Sequence, residues 1–268
     1  ETTRSKNPPT FKKPKKPNYL STTNACKLCK PLGACLAFKG IEGAVPYLHG
    51  SQGCATYMRR YIISHYNEPI DIASSSLSEK HAVYGGGPNL KLGLINVSAK
   101  YRPEIIGIAT TCLTETIGDD VPMYLRQYAE DTKGSVGLPT LVNVSTPSYS
   151  GTHMEGFHAA VREVVAQVSE GGPRSESVNL LPGFVSSADY RLLHEILTDF
   201  GLSYTMLPDL SETMDGPALM EYEKIQGGGT PLANIKSMGR AKATIEFGPT
   251  FGAMKTASDV LVDKFSVP

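Results

Sequence analysis

The sequence has no long apolar run, no excess of either charge and no cysteine after residue 112. A membrane helix needs roughly 18 to 20 apolar residues in succession, so we expect a protein that neither spans a membrane nor carries a secretory signal. With 40% hydrophobic and 19% charged residues, the composition is typical of a folded globular chain and excludes disorder as its main state. These features predict a soluble cytoplasmic protein with one large domain or two smaller ones.

The balance of charge hides an uneven distribution. Residues 1–18 contain six basic side chains and one acidic side chain, which leaves the remainder of the chain mildly acidic. Because this stretch has almost no aromatic residues that could stack on bases, a nucleic-acid contact is disfavoured. We expect residues 1–24 to form a basic Lys/Pro arm that extends along a protein surface.

Short β-branched runs alternate with amphipathic stretches along the rest of the chain. Residues 104–111 are predicted to form a buried strand after a helix at 89–101, and residues 140–144 a second strand before a helix at about 155–169. After Gly171-Gly-Pro173, this order returns, with strands near 177–181, 204–207 and 243–247 and helices starting at Ser187 and near Ala253. The pattern predicts an α/β fold of doubly wound, Rossmann-like parallel sheets.

Two such units are expected, with a boundary at the glycine-rich segment. The first, residues 25–172, carries all five cysteines, and the second is residues 173–268. Three strands with a helix at the very terminus are few for a doubly wound sheet. The second α/β unit is therefore predicted to be truncated.

The cysteines point to the first unit as the site of chemistry. They are odd in number and confined to the first 112 residues, which argues against a disulfide framework. Cys112 directly follows the 104–111 strand, and Cys54 follows a loop in which Gly50 and Gly53 let the backbone approach a bulky ligand. The Cys26–Cys29 spacing is a weak signal because no second pair completes a zinc site. Spacing alone leaves an iron–sulfur cluster, buried inert thiols, zinc and redox chemistry as alternatives.

Several motifs follow one another in a distinctive order: Cys29-Lys-Pro-Leu-Gly-Ala34, His49-Gly-Ser-Gln-Gly-Cys54, Glu68-Pro69, Ala73-Ser-Ser-Ser76, Thr110-Thr-Cys-Leu-Thr-Glu115, Ile117-Gly-Asp-Asp120 and Thr146-Pro-Ser-Tyr-Ser-Gly151. Together they resemble the nitrogenase component 1 family, and in particular its β-type subunits. Within that family, residues 208–216, 227–231 and 238–248 look more like the scaffold subunit of iron–molybdenum cofactor biosynthesis than like the catalytic β subunit.

The resemblance implies a set of metal ligands. Cys29, Cys54 and Cys112 match three cysteines that ligate an iron–sulfur cluster at the interface with an α-type subunit. That cluster is an eight-iron P-cluster in the enzyme and a [4Fe-4S] cluster in the scaffold. Some scaffold subunits retain only the cysteine at the position of Cys54, whereas this chain has all three, so the nuclearity stays open.

Other residues near these motifs have plainer interpretations. Ser148 matches a serine that ligates the oxidised cluster in some catalytic β subunits, and a role in a turn or helix cap is its alternative. Cys26 and Cys35 have no counterpart in the family, and Cys35 is expected to be a small buried hydrophobe. His49 is predicted to bond to the backbone, and an outer-shell donor to the cluster is its alternative. Asp119 and Asp120 resemble a metal pair but are more simply predicted to cap the following helix.

The resemblance also implies partners and a function. We expect an α-type homologous subunit in an α2β2 heterotetramer, an ATP-dependent iron protein reductase, and a cofactor precursor held mainly by the partner. Because the sequence has neither a Gly-x-Gly-x-x-Gly motif nor a P-loop, nucleotide hydrolysis is left to the reductase. No residue of this chain is expected to be catalytic, and its role would be electron transfer during cofactor maturation. The alternatives are the catalytic molybdenum-iron protein β subunit and a subunit of a nitrogenase-like reductase that acts on a tetrapyrrole or a thioether.

Overall fold

The computed structural model describes residues 28–66, 70–216, 221, 223–248 and 254–268. The basic arm predicted for residues 1–24 and Cys26 lie outside these ranges. Within the described ranges, no helix has the length and apolar character needed to cross a membrane.

Parallel strands alternate with helices through the described part of the chain. The strands are β1 (Ala44–His49), β2 (Ala73–Ser74), β3 (Ile105–Thr110), β4 (Thr140–Val144), β5 (Val178–Leu181), β6 (Tyr204–Met206) and β7 (Ala243–Glu246). The helices are α1 (Lys30–Lys39), α2 (Gln52–His65), α3 (Glu79–Tyr84), α4 (Gly87–Tyr101), α5 (Cys112–Ile117), α6 (Val121–Asp131), α7 (His153–Val168), α8 (Ser187–Asp199), α9 (Leu232–Ser237) and α10 (Ala257–Phe265). Short 3-10 turns occur at Ser148–Ser150 and Met238–Arg240.

The first sheet contains four parallel strands in the order β2-β1-β3-β4. Both central strands, β1 and β3, are buried along their whole length, because helices cover both faces of the sheet. On one face the strands share a core with α1, α2 and α7, and on the other with α4 and α6. The prediction of a doubly wound parallel α/β fold is confirmed.

The second sheet has three parallel strands in the order β6-β5-β7. Helix α7 packs against α1 and β4 of the first sheet and also against α9 and α10. The backbone of α1 lies very close to that of α7, since a Cβ atom built on Gly33 would lie 1.7 Å from the His153 carbonyl oxygen. The division into residues 25–172 and 173–268 stays a prediction.

The apolar residues of α8 are only partly buried. Leu197 is buried and Leu193 packs against the core, but Leu192, Ile196 and Phe200 are exposed. Spacing along one helix carries no information on whether another element covers such a stripe, so the tertiary structure decides which of these apolar residues are buried.

Candidate metal centre

Cys54, Cys112 and Ser148 follow the carboxyl ends of three neighbouring strands. Cys54 is the third residue of α2, which comes after β1, and Cys112 is the first residue of α5, which comes after β3. Ser148 begins the 3-10 turn after β4. Because β1, β3 and β4 are adjacent and parallel, all three residues lie at one edge of the sheet, as the sequence predicted for the two cysteines.

Cys29 reaches the same region from the start of α1. It forms an isolated antiparallel bridge with Thr152 and is the N-cap residue of α1. The backbone N–H of Lys30 donates to Ser148 Oγ at 3.2 Å, and the N–H of Ser148 donates to Cys112 Sγ at 3.2 Å. Ser148 therefore joins the start of α1, where Cys29 lies, to Cys112.

Cys29 is also close to α2, the helix that carries Cys54. The pKa of Tyr57, one turn after Cys54, is raised, first by the neighbouring Tyr61 hydroxyl and to a smaller extent by the Cys29 thiolate. Cys29 and Cys54 pack against the same hydrophobic core. The structure thus brings all three predicted cysteines to one end of the first sheet.

Solvent exposure separates these cysteines from Cys35. All four are free thiols, but Cys29, Cys54 and Cys112 are partly exposed, whereas Cys35 is buried in α1. Burial raises the pKa of Cys35 to about 12. Since metals bind the thiolate form, Cys35 is the small buried hydrophobe that the sequence predicted, and the other three are the available sulfur ligands.

Hydrogen-bond donors point at two of the exposed sulfurs. Besides the Ser148 N–H at Cys112, the hydroxyl of Ser51 donates to Cys54 Sγ at 3.4 Å. Cys29 lies at the positive end of α1, a ten-residue helix. Donors of this kind are found in the outer shell of thiolate-bound metals.

Among the described residues, no three His, Cys, Asp or Glu side chains lie close enough together to hold a single metal ion. An iron–sulfur cluster spans several iron atoms, so its thiolate ligands bind different irons and lie farther apart. Three partly exposed thiols at one sheet edge, two of them with hydrogen-bond donors on their sulfurs, therefore fit one side of such a cluster.

Gly50 has a different role from the one the sequence suggested. A Cβ atom at this position would lie 2.2 Å from Thr111 Oγ1, so the missing side chain lets the β1 and β3 loops touch. Beside Gly53, by contrast, nothing lies closer than 3.9 Å, at Ser51 Oγ. Gly50 is thus needed for contact between the loops that precede Cys54 and Cys112, and the space it leaves is not open to a ligand.

Two predictions for polar residues near the site were wrong and one is confirmed. The His49 imidazole bonds to side chains rather than to the backbone, with Nδ1 3.0 Å from Ser75 Oγ and Nε2 3.0 Å from Asp119 Oδ2. Asp119 does not cap a helix, because Gly118 has a φ of +76° and turns the chain so that the Asp119 carboxylate is buried against His49. Asp120 does cap α6, accepting the N–H of Met123 at 2.9 Å.

Sequence reasoning missed the importance of Ser75, Tyr57 and Tyr61. The three consecutive serines after β2 were noticed only as a family motif. The tyrosines are spaced by four residues on α2, which is the spacing of neighbours on one helix face, and their ring centroids lie 4.5 Å apart. That spacing was the available signal for an exposed aromatic pair.

Comparison with known proteins supplies the family. The family model described as nitrogenase component 1 type oxidoreductase matches residues 29–268. The nitrogenase molybdenum-iron protein beta chain of Clostridium pasteurianum is 39% identical over 227 residues, which cover 84% of this chain and 49% of that protein. The nitrogenase iron-molybdenum cofactor biosynthesis protein NifN of Bradyrhizobium diazoefficiens is 38% identical over 258 residues, covering 94% of this chain and 54% of that protein.

A solved structure agrees with these relatives. The chain titled nitrogenase Cp1 at pH 6.5 superposes with a TM-score of 0.85 at 35% identity, over 97% of this chain and 56% of that one. This chain thus spans about half the length of the relatives it matches. With the family model covering nearly all of the described residues, the chain belongs to the nitrogenase component 1 family.

Proposed function

We propose that this chain is the β-type subunit of a scaffold on which the nitrogenase iron–molybdenum cofactor is assembled. In this role Cys29, Cys54 and Cys112 are ligands of an iron–sulfur cluster at a subunit interface. The observation that carries the proposal is the convergence of three partly exposed free thiols at one sheet edge. When bound, the cluster supplies electron transfer during cofactor maturation.

A second subunit is expected to cover this edge. On α2, Tyr57, Tyr61 and Ile63 are all more than a third exposed, and Tyr57 lies within electrostatic reach of Cys29. Aromatic residues are enriched in the buried centres of protein interfaces. We infer that an α-type homologous subunit packs here in an α2β2 heterotetramer and completes the cluster site. An ATP-dependent iron protein reductase would be the electron donor, and the partner would hold most of the cofactor precursor.

Ser148 has two functions in this proposal. Its backbone N–H orients Cys112 through the bond to Sγ, and its hydroxyl accepts from the N–H of Lys30. The hydroxyl thus serves the start of α1, which is the cap or turn role that the sequence offered as an alternative. Ligation of an oxidised cluster through Ser148 Oγ would require the hydroxyl to lose its proton, and the oxygen has lone pairs for both an iron atom and the Lys30 N–H.

The catalytic molybdenum-iron protein β subunit is the second candidate function. It is favoured by the presence of all three cysteines together with Ser148 directly beside Cys112. The scaffold is favoured by the resemblance of residues 208–216, 227–231 and 238–248. Relatives named as cofactor biosynthesis proteins and as molybdenum-iron beta chains both align over 94% of this chain, so coverage does not separate the two candidates. The two candidates share the cluster ligands and differ in what the assembled complex does.

The test is copurification of this chain with an α-type subunit, followed by iron and sulfide determination and an acetylene-reduction assay with the reductase and ATP. A scaffold complex contains iron and sulfide, matures apo-enzyme when a cofactor precursor is supplied, and does not reduce acetylene by itself. Acetylene reduction without added apo-enzyme would establish the catalytic subunit instead. A copurified pair that lacks iron and sulfide after anaerobic reconstitution would contradict both candidates.

A further inference from the structure

A buried chain of three polar side chains lies behind the loops that carry the cysteines. His49 Nδ1 is 3.0 Å from Ser75 Oγ, and His49 Nε2 is 3.0 Å from Asp119 Oδ2. The three side chains come from the carboxyl ends of β1 and β2 and from the segment after α5. None of these interactions involves the cysteines directly.

The connectivity is that of a Ser-His-Asp triad, but the location excludes hydrolysis. His49 is 0% exposed, Ser75 is 4% exposed, and the Asp119 side chain is 3% exposed. A nucleophilic serine must reach a substrate, and Ser75 Oγ is already occupied by the Gly50 N–H at 2.9 Å. The chain of bonds is therefore structural.

Every member of this chain has hydrogen-bond partners. The Asp119 carboxylate accepts from the N–H of Gly86 at 3.1 Å through both oxygens and from the Tyr124 hydroxyl at 3.2 Å. Burial lowers the pKa of His49, an effect that Asp119 opposes. A neutral imidazole with its proton on Nε2 donates to Asp119 and accepts at Nδ1 from Ser75. A fully satisfied buried network of this kind is rigid.

The same histidine is bonded to the segment that contains Cys112. The His49 carbonyl oxygen accepts from the N–H of Thr111 at 3.1 Å and from Thr114 Oγ1 at 3.0 Å. Cys112 lies between these two threonines, and Cys54 is five residues after His49 along the chain. Both the main chain and the side chain of His49 therefore tie the Cys54 loop to the Cys112 helix.

We propose that Ser75, His49 and Asp119 are positioning residues that hold Cys54 and Cys112 in one relative placement, so that their thiolates meet the same cluster. That these residues fix the two cysteine segments is a claim about this chain alone. The consequence for the cluster rests on the proposed function. Outer-shell partners of metal ligands act in this way elsewhere, and their loss typically weakens metal binding about 10-fold to 100-fold.

The test compares Asp119→Asn with Asp209→Asn. Asp209 is a matched control because it forms the same kind of histidine contact in another part of the molecule. Its Oδ2 lies 2.9 Å from Nε2 of His194, which is in α8 and not at the cysteine edge. In the iron-free copurified pair, Asp119→Asn should speed amide hydrogen exchange in residues 49–56 and 111–119 of this chain, and Asp209→Asn should leave those segments unchanged. Ser75→Ala keeps the buried Asp119 carboxylate and should give a smaller change in the same segments. This variant replaces Asp119→Asn in the test if Asp119→Asn does not fold.

The second measurement is made on the reconstituted pair. Asp119→Asn should release iron to a chelator about 10-fold faster and alter the electron paramagnetic resonance spectrum of the reduced cluster, with Asp209→Asn like the wild type. Unchanged exchange in both segments would overturn the positioning role. Faster exchange with unchanged iron release and spectrum would overturn the link to the cluster. If the wild-type pair holds no iron, the proposed function fails, and hydrogen exchange still decides whether the three residues position the loops.

Discussion

At the scale of single residues, burial divides the described cysteines into two chemical classes. Cys54 is partly exposed at the sheet edge, with a hydroxyl donor on its sulfur. Cys35 is the sixth residue of α1 and is buried, and burial raises its pKa to about 12. The same side-chain chemistry therefore gives a metal ligand at one position and an inert packing group at the other.

Substitution of Cys54 by alanine should remove most of the iron and visible absorption of the reconstituted complex, because one thiolate ligand of the iron cage is lost. Cys35→Ala is the matched control and should retain both, since the Cys35 thiol is protonated and out of reach. Iron determination and absorption spectra on the two purified variants provide the measurement. Equal iron in Cys54→Ala and the wild type would count against Cys54 as a ligand.

At the scale of elements, the contact between α1 and α7 places Cys29 beside Ser148. The helices approach through two glycines, since a Cβ on Gly33 would lie 1.7 Å from the His153 oxygen and one on Gly156 would lie 1.9 Å from the Lys30 oxygen. Both obstacles are backbone atoms, so relief requires the helices to separate. The position of Cys29 therefore depends on the two glycines, Gly33 and Gly156, that allow this close approach.

Gly33→Ala and Gly156→Ala should each lower the free energy of unfolding by roughly 1–3 kcal/mol or more, because overpacking against backbone cannot be relieved by a rotamer change. Gly227→Ala is the control, as nothing lies within 4 Å of a Cβ there and its φ is not positive. Chemical denaturation of the three variants gives the comparison. A loss for Gly227→Ala equal to that for Gly33→Ala would contradict the steric argument.

Helix α8 is tied to the segment after β6 by a histidine–carboxylate pair. His194 Nε2 lies 2.9 Å from Asp209 Oδ2, and this hydrogen bond raises the pKa of His194 despite partial burial. A raised pKa in the folded state means that protonation stabilises the fold. The contribution is complete below the unfolded-state pKa, near 6.5, and is lost as the pH rises through the higher folded-state pKa.

We therefore expect the difference in unfolding free energy between the wild type and His194→Gln to shrink as the pH is raised from about 6 toward 9. Urea denaturation at several pH values measures this difference. His65→Gln, at an exposed position on α2, controls for loss of a histidine. A difference that grows over the same pH range would contradict a raised pKa of His194 in the folded state.

At the scale of the whole molecule, backbone hydrogen bonds join the segments after β6 to the end of α1. The Gly40 carbonyl oxygen accepts the N–H groups of Asp209 and Thr230, both at 2.9 Å, and the N–H of Glu42 donates back to the Thr230 oxygen at 3.0 Å. With α7 packed against both α1 and α10, these bonds connect the two sheets through main chain as well as side chains.

The cysteine edge combines partly exposed thiols with exposed apolar and aromatic side chains of α2. Without an α-type subunit we expect the chain to self-associate, because the exposed Tyr57, Tyr61 and Ile63 surface and the three thiols would remain uncovered. Size-exclusion chromatography should show aggregates for the chain alone and one defined complex after coexpression. A monodisperse iron-free monomer whose three thiols resist alkylation would contradict the interface.

Much of the fold was predictable because its signals are local. The β-branched run at 104–111 and the strand at 140–144 predicted β3 and β4 to within a residue, and the helix predicted to start at Ser187 is α8. The exposure of Phe200 was not predictable, since it depends on what lies opposite the helix. Asp119 was misread for a related reason: its partner His49 is 70 residues away along the chain.

The sequence by itself determined the order of strands and helices, the parallel α/β class and the positions of Cys54 and Cys112 just after strands, because periodicity and turn residues act over a few neighbours. Only the tertiary structure decided which residues meet. Ser148 joins Cys112 to the start of α1, Gly50 makes room for Thr111, and His49 binds Ser75 and Asp119. These contacts follow from the packing of parallel strands side by side, which brings together the ends of segments that are distant along the chain.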